Sequence, residues 1–482
     1  MKVVKIDPVT RLEGEARILI ILDDGGHVKD AYFQILELKG FERFCIGRPA
    51  EEMPRIVTRI CGVCPWAHHM ASGKAVDAVF GREPTSVAKK LRELAYCAHM
   101  LDSHTLHFYF LAAPDFLVSP DAKRAERNVL HLYKIAPDAV REIVKMRRYI
   151  TKIETMLGGK SIHPVCCIPG GVSKGLSKEE RDEIENYAKE LIVFSEKWLD
   201  IWEKKILPQY EDIIFGDIYY LETYYMGIVG EDNTLNFYDG AIRVVDQKGR
   251  EVAKFSPPEY LNYIVERVEA WSYTKFPYLK QIGWKGFVDG SDSGVYRVGP
   301  LGRLNVIDKI STEKAQEAYE KFVEMGGKPA HATMLYHWAR LIEMLYASER
   351  MLELAQDEEI TSNEIANYEG EITGKGVGVV EAPRGILFHH YETDENAMMK
   401  LVNLIIPTTQ NNPSICMEIK KSASKLITNG KISEGILNRI EMAFRAYDPC
   451  LACSAHSLPG KLPLRIQIID SDGKLIREIK RV

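Results

Sequence analysis

Two Cys-x-x-Cys motifs are the part of this chain best suited to metal or redox chemistry. Cys61 and Cys64 form the first, and Cys450 and Cys453 form the second, near opposite ends of 482 residues. Each motif directs two soft thiolates at one point, so together they can bind zinc, nickel or iron. Structural zinc, a catalytic metal and unrelated or redox-active thiols all remain open, although zinc ribbons usually separate their pairs by only about 15–20 residues.

The elements that must position these motifs are predicted to be mostly long helices, because apolar and charged residues recur at helical spacing. The predicted helices are 88–113, 123–156, 178–206, 312–325, 332–354, 395–404, 413–428 and 433–446. Shorter alternating runs predict a hairpin at 17–38, another at 462–482, and a lobe with small sheets near 215–300. The sequence therefore predicts a mainly helical α+β fold, with a long-helix bundle as its core and small β-sheets at its periphery.

Composition and charge exclude several broad classes of protein. With 46% hydrophobic and 27% charged residues, the chain can form a sizeable core and is not predicted to be disordered. Its 63 basic and 68 acidic residues give a formal net charge of −5, which does not indicate a nucleic-acid partner. No apolar run approaches the roughly 20 residues of a membrane span, and residues 1–6 do not resemble a signal peptide. We therefore predict a cytoplasmic protein with no membrane span.

The residues around the cysteine pairs form longer motifs. These are Arg59-Ile60-Cys61-Gly62-Val63-Cys64-Pro65, Asp448-Pro449-Cys450-Leu451-Ala452-Cys453-Ser454-Ala455-His456, Arg11-Leu12-Glu13-Gly14, Lys39-Gly40-Phe41-Glu42 and Glu381-Ala382-Pro383-Arg384-Gly385. Together they resemble the large, catalytic subunit of nickel–iron hydrogenases, especially the cytoplasmic, multi-subunit branch. The resemblance extends from Asp7 to His456. It implies the fold of that large subunit, and with it the reversible oxidation of dihydrogen to protons and electrons.

The resemblance also implies a role for each of the four cysteines. Cys61 and Cys450 match terminal nickel thiolates, whereas Cys64 and Cys453 match thiolates that bridge nickel to an iron with carbonyl and cyanide ligands. Thiolates keep nickel soft and redox-active, which oxygen ligands would not do. Within these surrounding motifs, a nickel–iron centre is favoured over structural zinc.

Further residues match those that move protons or contact the metals. Glu13 matches the glutamate that relays protons beside the terminal thiolate. Thr408 matches a hydroxyl that bonds a cyanide, and His68 matches a histidine that donates to a bridging sulfur. Glu42 and His456 match ligands of a separate magnesium or iron ion.

An arginine late in the chain completes the set that the resemblance implies. Arg384 matches an arginine that lies over the two metals, with Pro383 beside it and with Asp102 and Asp448 as its carboxylate neighbours. A fixed cation in this place can polarise dihydrogen and bind a cyanide nitrogen. The histidines at 99, 104, 107, 389 and 390 are interpreted mostly as satisfied core or surface residues.

Electrons need a route out of this chain. Its other five cysteines are scattered and do not form the run of three or four that an iron–sulfur cluster needs. The resemblance therefore implies that its partners include an iron–sulfur small subunit, and a further electron-carrier module linked to a deazaflavin, NAD(P), ferredoxin or a heterodisulfide reductase. It also implies a maturation protease that cuts after His456. We thus expect residues 1–456 to form one unit and 457–482 to be an extension that maturation removes.

Two alternative functions belong to other classes. One is a non-enzymatic descendant of the family, such as the structural, quinone-binding subunit of respiratory complex I, which lacks the metal thiolates that this chain keeps. The other is a zinc-stapled scaffold, which would contain zinc and no nickel. Elemental analysis separates the second alternative from a hydrogenase.

Overall fold

A computed structural model describes residues 2–269, 271–457, 464–470 and 474–481. The helices are α1 (Phe41–Phe44), α2 (Met53–Ile56), α3 (Pro65–Val79), α4 (Ser86–Thr105), α5 (Ala113–Leu117), α6 (Val129–Ile135), α7 (Pro137–Gly158), α8 (Lys178–Ile201), α9 (Leu207–Gln209), α10 (Glu211–Ile214), α11 (Pro300–Val306), α12 (Glu313–Gly326), α13 (Leu335–Gln356), α14 (Pro407–Leu426), α15 (Glu434–Arg445) and α16 (Leu451–Ser454). The strands are β1 (Lys2–Ile6), β2 (Ala16–Leu22), β3 (Val28–Ile35), β4 (Cys167–Ile168), β5 (Gly171–Val172), β6 (Tyr224–Val229), β7 (Ala241–Val245), β8 (Glu251–Phe255), β9 (Ile264–Val268), β10 (Lys275–Leu279), β11 (Tyr296–Arg297), β12 (Lys375–Ala382), β13 (Gly385–Thr393), β14 (Met399–Ile405), β15 (Leu464–Ile469) and β16 (Leu475–Arg481).

The core is a bundle of long helices around α13. This helix packs against α4, α8, α11 and α12, and α7 covers the other side of α4. Its side chains Trp338, Leu341 and Leu345 are almost completely buried, and each such side chain contributes roughly 1.5–3 kcal/mol through burial. None of the helices in the described ranges combines the length and apolar character needed to cross a bilayer. The predicted mainly helical α+β fold with small sheets is confirmed.

Small sheets accompany this bundle, and their strands pair antiparallel except for the parallel pair of β11 with β6. The hairpin predicted near the amino terminus is formed by β2 and β3, and β1 adds a third strand beside β2. In the middle of the chain β11, β6, β7 and β8 form a four-stranded sheet. Near the carboxyl end β15 pairs antiparallel with β16, while the turn predicted at 472–473 lies outside the described residues.

A close contact between β12 and α3 brings late and early parts of the chain together. Gly376 and Gly378 alternate along β12, and a Cβ atom on either glycine would lie 2.0 Å from a carbonyl oxygen of α3. Only glycine lets the strand approach the helix this closely. Because α3 begins directly after Cys64 and β12 leads to Arg384, this contact helps to place both residues on one side of the molecule.

Two of the predicted helices differ from the structure. The helix predicted at 395–404 is wrong, because this segment contains β14, which pairs with β13 through contacts such as Leu404 with His389. The helix predicted at 123–156 is divided between α6 and α7, because Pro137 has no N–H to continue the helix and Ala136 before it takes a non-helical conformation.

Candidate metal centre

The four sulfur atoms of the two motifs meet in the interior of the fold. Cys61 Sγ lies 3.2 Å from Cys450 Sγ, Cys64 Sγ lies 3.1 Å from Cys453 Sγ, and the two late sulfurs are 3.0 Å apart. All four side chains are buried. The first pair lies before α3, which has Pro65 in its first turn, and the second pair lies at the start of α16. Two chain ends therefore supply one cluster of soft donors.

The pKa shifts of these thiols indicate that the cluster is suited to binding a cation. Hydrogen bonds from Cys450 and Cys453 hold the pKa of Cys61 well below its ordinary value. Burial, together with the neighbouring sulfurs, raises the pKa of Cys450 well above it, and burial also raises the pKa of Cys453. Four thiolates at these distances repel one another strongly, so a bound metal ion is what would keep all four deprotonated.

A small cavity adjoins three of these sulfurs. Cys64, Cys450 and Cys453 line it together with apolar side chains and with three residues that can donate hydrogen bonds. The apolar lining residues are Ala67, Ala382, Leu387, Ile406 and Pro407, and the donors are His68, Arg384 and Thr408. The cavity is therefore mostly apolar, with three fixed hydrogen-bond donors beside the sulfurs.

Glu13 contacts the metal-binding cluster directly. Its Oε2 atom is 3.0 Å from Cys450 Sγ and accepts a hydrogen bond from the backbone N–H of Ala452 at 3.1 Å. Burial raises the pKa of Glu13, and the Cys61 thiolate acts in the same direction, while the two hydrogen bonds oppose them. A carboxylate with a raised pKa beside a thiol is suited to accept and release protons.

The backbone around Glu13 explains why its side chain reaches this place. The N–H of Leu451 donates to the carbonyl oxygen of Glu13 at 3.0 Å, so the two segments lie side by side. The next residue, Gly14, has φ of 89°, and a Cβ atom there would lie 2.5 Å from Glu37 Oε1 and 2.8 Å from Leu451 Cβ. Glycine is therefore required for the close approach.

Arg384 lies over the same cluster, on the turn between β12 and β13. Its Nε donates to the carbonyl oxygen of Asp448 at 2.6 Å, and its Nη2 donates to Asp448 Oδ1 at 2.9 Å. Both side chains are buried. Burial lowers the pKa of Arg384, but Asp448 and the cysteine thiolates outweigh burial and raise it above its ordinary value. The guanidinium is thus a permanent cation with a fixed orientation.

Asp102, the other predicted carboxylate neighbour of Arg384, forms its ion pair with a different arginine. It accepts hydrogen bonds from Arg147 Nε at 3.0 Å and Arg147 Nη2 at 3.1 Å, across the contact between α4 and α7. Within the described ranges, no hydrogen bond or ion pair joins Asp102 to Arg384; its neighbour Ser103 lies 3.5 Å from Arg384 Nη1. The sequence could not reveal this partner, because Arg147 belongs to a different helix and to no motif.

Arg303 is a residue near the centre that the sequence did not indicate. Its Nη1 donates to Glu381 Oε2 at 2.6 Å and to the carbonyl oxygen of Ala382 at 2.9 Å, and its Nη2 reaches the carbonyl oxygen of Pro383 at 3.2 Å. Glu343 pairs with the same guanidinium at 2.6 and 2.7 Å. All three charged side chains are fully buried. Arg303 therefore fixes the backbone immediately before Arg384. Its ion pairs with Glu343 and Glu381 must offset the free-energy cost of removing three charged groups from water.

Thr408 and His68 both contact the cluster. Thr408 Oγ1 accepts from the backbone N–H of Cys450 at 3.0 Å, so its hydroxyl hydrogen can still donate into the cavity. His68 Nε2 lies 3.6 Å from Cys453 Sγ. The structure thus brings both predicted residues to the cluster.

A chain of hydrogen bonds leads away from His68. His68 Nδ1 is 3.1 Å from His389 Nε2, His389 Nδ1 is 2.7 Å from Tyr391 Oη, and Tyr391 contacts Ser72 at 2.8 Å. A neutral His68 that donates to a Cys453 thiolate must accept at Nδ1, which requires His389 to donate through Nε2. His389 is a core residue with a partner at each ring nitrogen, as the sequence analysis predicts. Through His68 it is also connected to the candidate metal ligand Cys453.

Glu42 and His456 meet at a second site near the carboxyl end of α16. Glu42 Oε1 lies 3.6 Å from His456 Nε2, and the carbonyl oxygen of Leu404 lies 2.8 Å from the same nitrogen. Burial would raise the pKa of Glu42, but His456 and the ammonium of Lys275, 3.6 Å away, lower it to about 2. Carboxylate, carbonyl and imidazole ligands can hold a divalent cation. The Leu404 carbonyl has no sequence signal, because every residue carries one.

Three other soft ligands lie together outside these two sites. His69, Cys166 and Cys167 have their ligand atoms within 4.8 Å of one another. However, His69 Nδ1 lies 2.8 Å from the carbonyl oxygen of Pro54, and His69 Nε2 accepts from the N–H of Cys167 at 2.9 Å. The lone pair of His69 Nε2 is already used by the N–H of Cys167, so His69 has none left for a metal ion and this group has a structural explanation.

Comparison with known proteins places these residues in a defined family. The family described as nickel-dependent hydrogenase matches residues 39–133 and 228–456, and one described as HoxL-like matches residues 3–38. An iron-sulfur subunit of the F420-non-reducing hydrogenase from Archaeoglobus profundus is 48% identical over 485 residues, which cover 100% of both chains. The NAD-reducing hydrogenase HoxS subunit beta of Cupriavidus necator is 38% identical over 495 residues and 99% of each chain.

A solved structure shows the same fold. The crystal structure of an NAD+-reducing NiFe hydrogenase in the H2-reduced state has a TM-score of 0.90 and 37% sequence identity. The similarity covers 95% of this chain and 100% of that one. The ranges that the two families match include the four cysteines together with Glu13 and Arg384.

Proposed function

Because this chain belongs to the nickel-dependent hydrogenase family, we propose that it is the catalytic subunit in which Cys61, Cys64, Cys450 and Cys453 hold a nickel–iron centre. The observation that carries the proposal is the meeting of four buried sulfurs from opposite ends of the chain, with neighbouring separations of 3.0–3.2 Å. When bound, the centre would supply the site at which dihydrogen is oxidised to two protons and two electrons.

We propose separate roles for the four sulfurs. Cys64 and Cys453 are proposed as the bridging ligands to an iron with carbonyl and cyanide ligands, and both line the small cavity, as does Cys450. Arg384 and the hydroxyl of Thr408 are the donors that would bind the cyanide nitrogens. Cys61 and Cys450 are proposed as the terminal nickel ligands because their motifs match those of the family, since lining of the cavity does not separate the two roles.

The protein's own groups provide a path for the proton. Cys450 Sγ is proposed as the first acceptor, and Glu13 Oε2 as the second, 3.0 Å away. The raised pKa of Glu13 brings the carboxylate closer to the thiol in proton affinity, which reduces the free energy of the transfer between them. Arg384, held by Asp448, would stabilise negative charge without reorientation.

A magnesium or iron ion at the second site would have a structural role. Glu42, His456 and the Leu404 carbonyl are proposed as its protein ligands. His456 Nδ1 also lies 2.9 Å from the carbonyl oxygen of Cys453. An ion held there would therefore stabilise the segment that carries two of the sulfur ligands.

Electrons are proposed to pass to an iron–sulfur small subunit, and from there to a deazaflavin-, NAD(P)-, ferredoxin- or heterodisulfide-reductase-linked module. The segment that ends at Cys61 comes near the surface where His163 Nδ1 contacts the carbonyl oxygen of Thr58 at 3.0 Å. Beside His163, Ile162 is 57% and Val165 42% exposed. An apolar surface next to a segment that carries a metal ligand is a suitable contact for the small subunit. We also propose a cytoplasmic location for the complex.

Metal content and isotope exchange test this function together. Purified anaerobically with its partner subunits from nickel-supplied cells, the chain should contain nickel and iron and should catalyse exchange between dihydrogen and deuterated water. Zinc in place of nickel, with no exchange, would support the zinc-stapled scaffold. Absence of any metal would support the non-enzymatic alternative, although such descendants lack the four thiolates found here.

Maturation is proposed to remove residues 457–482, after which His456 would end the chain beside its metal site. Burial of the His456 side chain next to Glu42 supports this proposal, because the segment is already in place for closing the second site. Intact-mass measurement of nickel-loaded, active protein should therefore give a chain that ends at His456. A mass that includes Val482 would instead make the tail a permanent part of the fold.

A further inference from the structure

A cavity of about 390 Å³ lies between the amino-terminal segment and α15, outside the metal sites. We call it the N-terminal cavity; Lys5, Arg11, Arg124 and Arg127 line it, with Glu434 and Glu441. Asp7 also lines it and lies 4.0 Å from Arg17. The cavity is therefore rich in charge of both signs, and the partners of each charge decide what it can bind.

Two arginines near the cavity have complete sets of partners. Arg11 Nη2 donates to Asp115 at 2.5 Å and to Asn438 at 2.9 Å. Arg445 pairs with the other carboxylate oxygen of Asp115 at 2.6 Å and with Glu441 at 3.0 Å. The charges of these two arginines are balanced by those of Asp115 and Glu441. None of the four groups therefore has an unbalanced charge that could bind a ligand.

Arg127 differs from both of these arginines. Its residue exposure is only 8%, yet within the described ranges its guanidinium makes no hydrogen bond or ion pair, and its Nε is buried without a partner. A mostly buried guanidinium without a close partner is unusual, because buried arginines in proteins are normally paired, and Asp115, Glu441 and Glu434 act on this one only at longer range. Its Nη1 and Nη2 atoms are not among the fully buried atoms without a partner, and Arg127 lines the cavity, so its guanidinium is available to an anion there.

The other charges around Arg127 favour a multivalent anion. Lys5 and Arg124 are exposed at the cavity and form no ion pair within the part of the chain that the structure describes. Against these three cations stand Glu434, Asp7 and Glu441, but Asp7 also faces Arg17 and Glu441 is paired with Arg445. A phosphate group can contact several of these cations at once, because it has more acceptor oxygens than a carboxylate and accepts paired hydrogen bonds from a guanidinium.

We propose that the N-terminal cavity binds a phosphate-bearing anion, with Arg127 as the buried contact and with Lys5 and Arg124 at the opening. The shared chemistry is a phosphate or pyrophosphate group, either free or as part of a nucleotide. The site is separate from the metal centre, so it does not depend on the proposed hydrogenase reaction.

Titration calorimetry of the purified complex at constant ionic strength tests the proposal with pyrophosphate and with ADP as probes. Saturable binding at one site per chain is expected, and Arg127→Gln should weaken it at least 10-fold. Arg124→Gln should weaken it less, because that side chain is exposed. Arg148→Gln removes an exposed arginine from α7 and should leave binding unchanged. Tighter binding of ADP would identify a nucleotide as the source, and tighter binding of pyrophosphate would identify the free anion.

Thermal unfolding without added anion gives an independent readout. Arg127→Gln should have an equal or higher Tm than the natural chain, because it removes an unpaired buried charge, and pyrophosphate should no longer raise that Tm. Arg127→Lys keeps the charge but loses the planar fork, and should bind with intermediate affinity. Failure of the natural chain to bind either probe would overturn the proposal, as would a lower Tm of both variants without anion.

Discussion

Replacement of Cys61 or Cys450 by serine should leave the chain without nickel and without hydrogenase activity. Each sulfur contacts the other at 3.2 Å within the four-cysteine cluster, so either substitution removes one of four soft ligands. A serine hydroxyl is a much poorer ligand for nickel than a thiolate, and it stays protonated at neutral pH. Metal analysis by mass spectrometry of anaerobically purified protein, together with hydrogen–deuterium exchange, measures both effects.

Cys416→Ser provides a matched control for these variants. Cys416 is also a buried thiol, and it belongs to neither group of candidate metal ligands. Burial raises its pKa to about 12, so it stays protonated at neutral pH. Its serine variant should keep a normal nickel content. If both Cys61→Ser and Cys450→Ser also kept normal nickel, these residues could not be the terminal ligands, and the proposed centre would be wrong.

The helical part of the fold was predictable because its pattern is local. Residues 178–206 show charged and apolar residues at helical spacing, and they form α8 with a π-helical extension at Trp202–Ile206. The strands β12 and β13 were not predicted. They are buried along almost their whole length, so they lack the alternation of polar and apolar residues that reveals a half-exposed strand.

The site shows a similar division between local and distant information. Glu13 and Arg384 could be identified because each lies in a short motif of the family. Arg303 could not, because its effect depends on a turn almost eighty residues later in the chain. Asp102 lies next to Ser103, which does approach Arg384, yet the side chain of Asp102 faces another helix. Which neighbour an ionised side chain selects depends on tertiary packing, and the sequence near it does not contain that information.

Glu13→Gln should retain both metals but lose most of its turnover. The amide has nearly the same shape as the carboxylate, and its oxygen can still accept from the N–H of Ala452. Its NH2 group can donate to the sulfur of Cys450, so the thiolate keeps a hydrogen-bond partner. An amide does not take up and release a proton at neutral pH, so turnover should fall by at least about 100-fold, the lower range for loss of acid–base catalysis.

Exchange between dihydrogen and deuterated water isolates this step from electron transfer to the partner. Glu15→Gln is the matched control, because Glu15 is an exposed glutamate two residues away, whose side chain does not contact the cysteines in the described structure. It should exchange at the natural rate, while Glu13→Gln should exchange slowly with normal nickel content. Equal exchange rates in the two variants would show that protons leave Cys450 by a route that does not include Glu13.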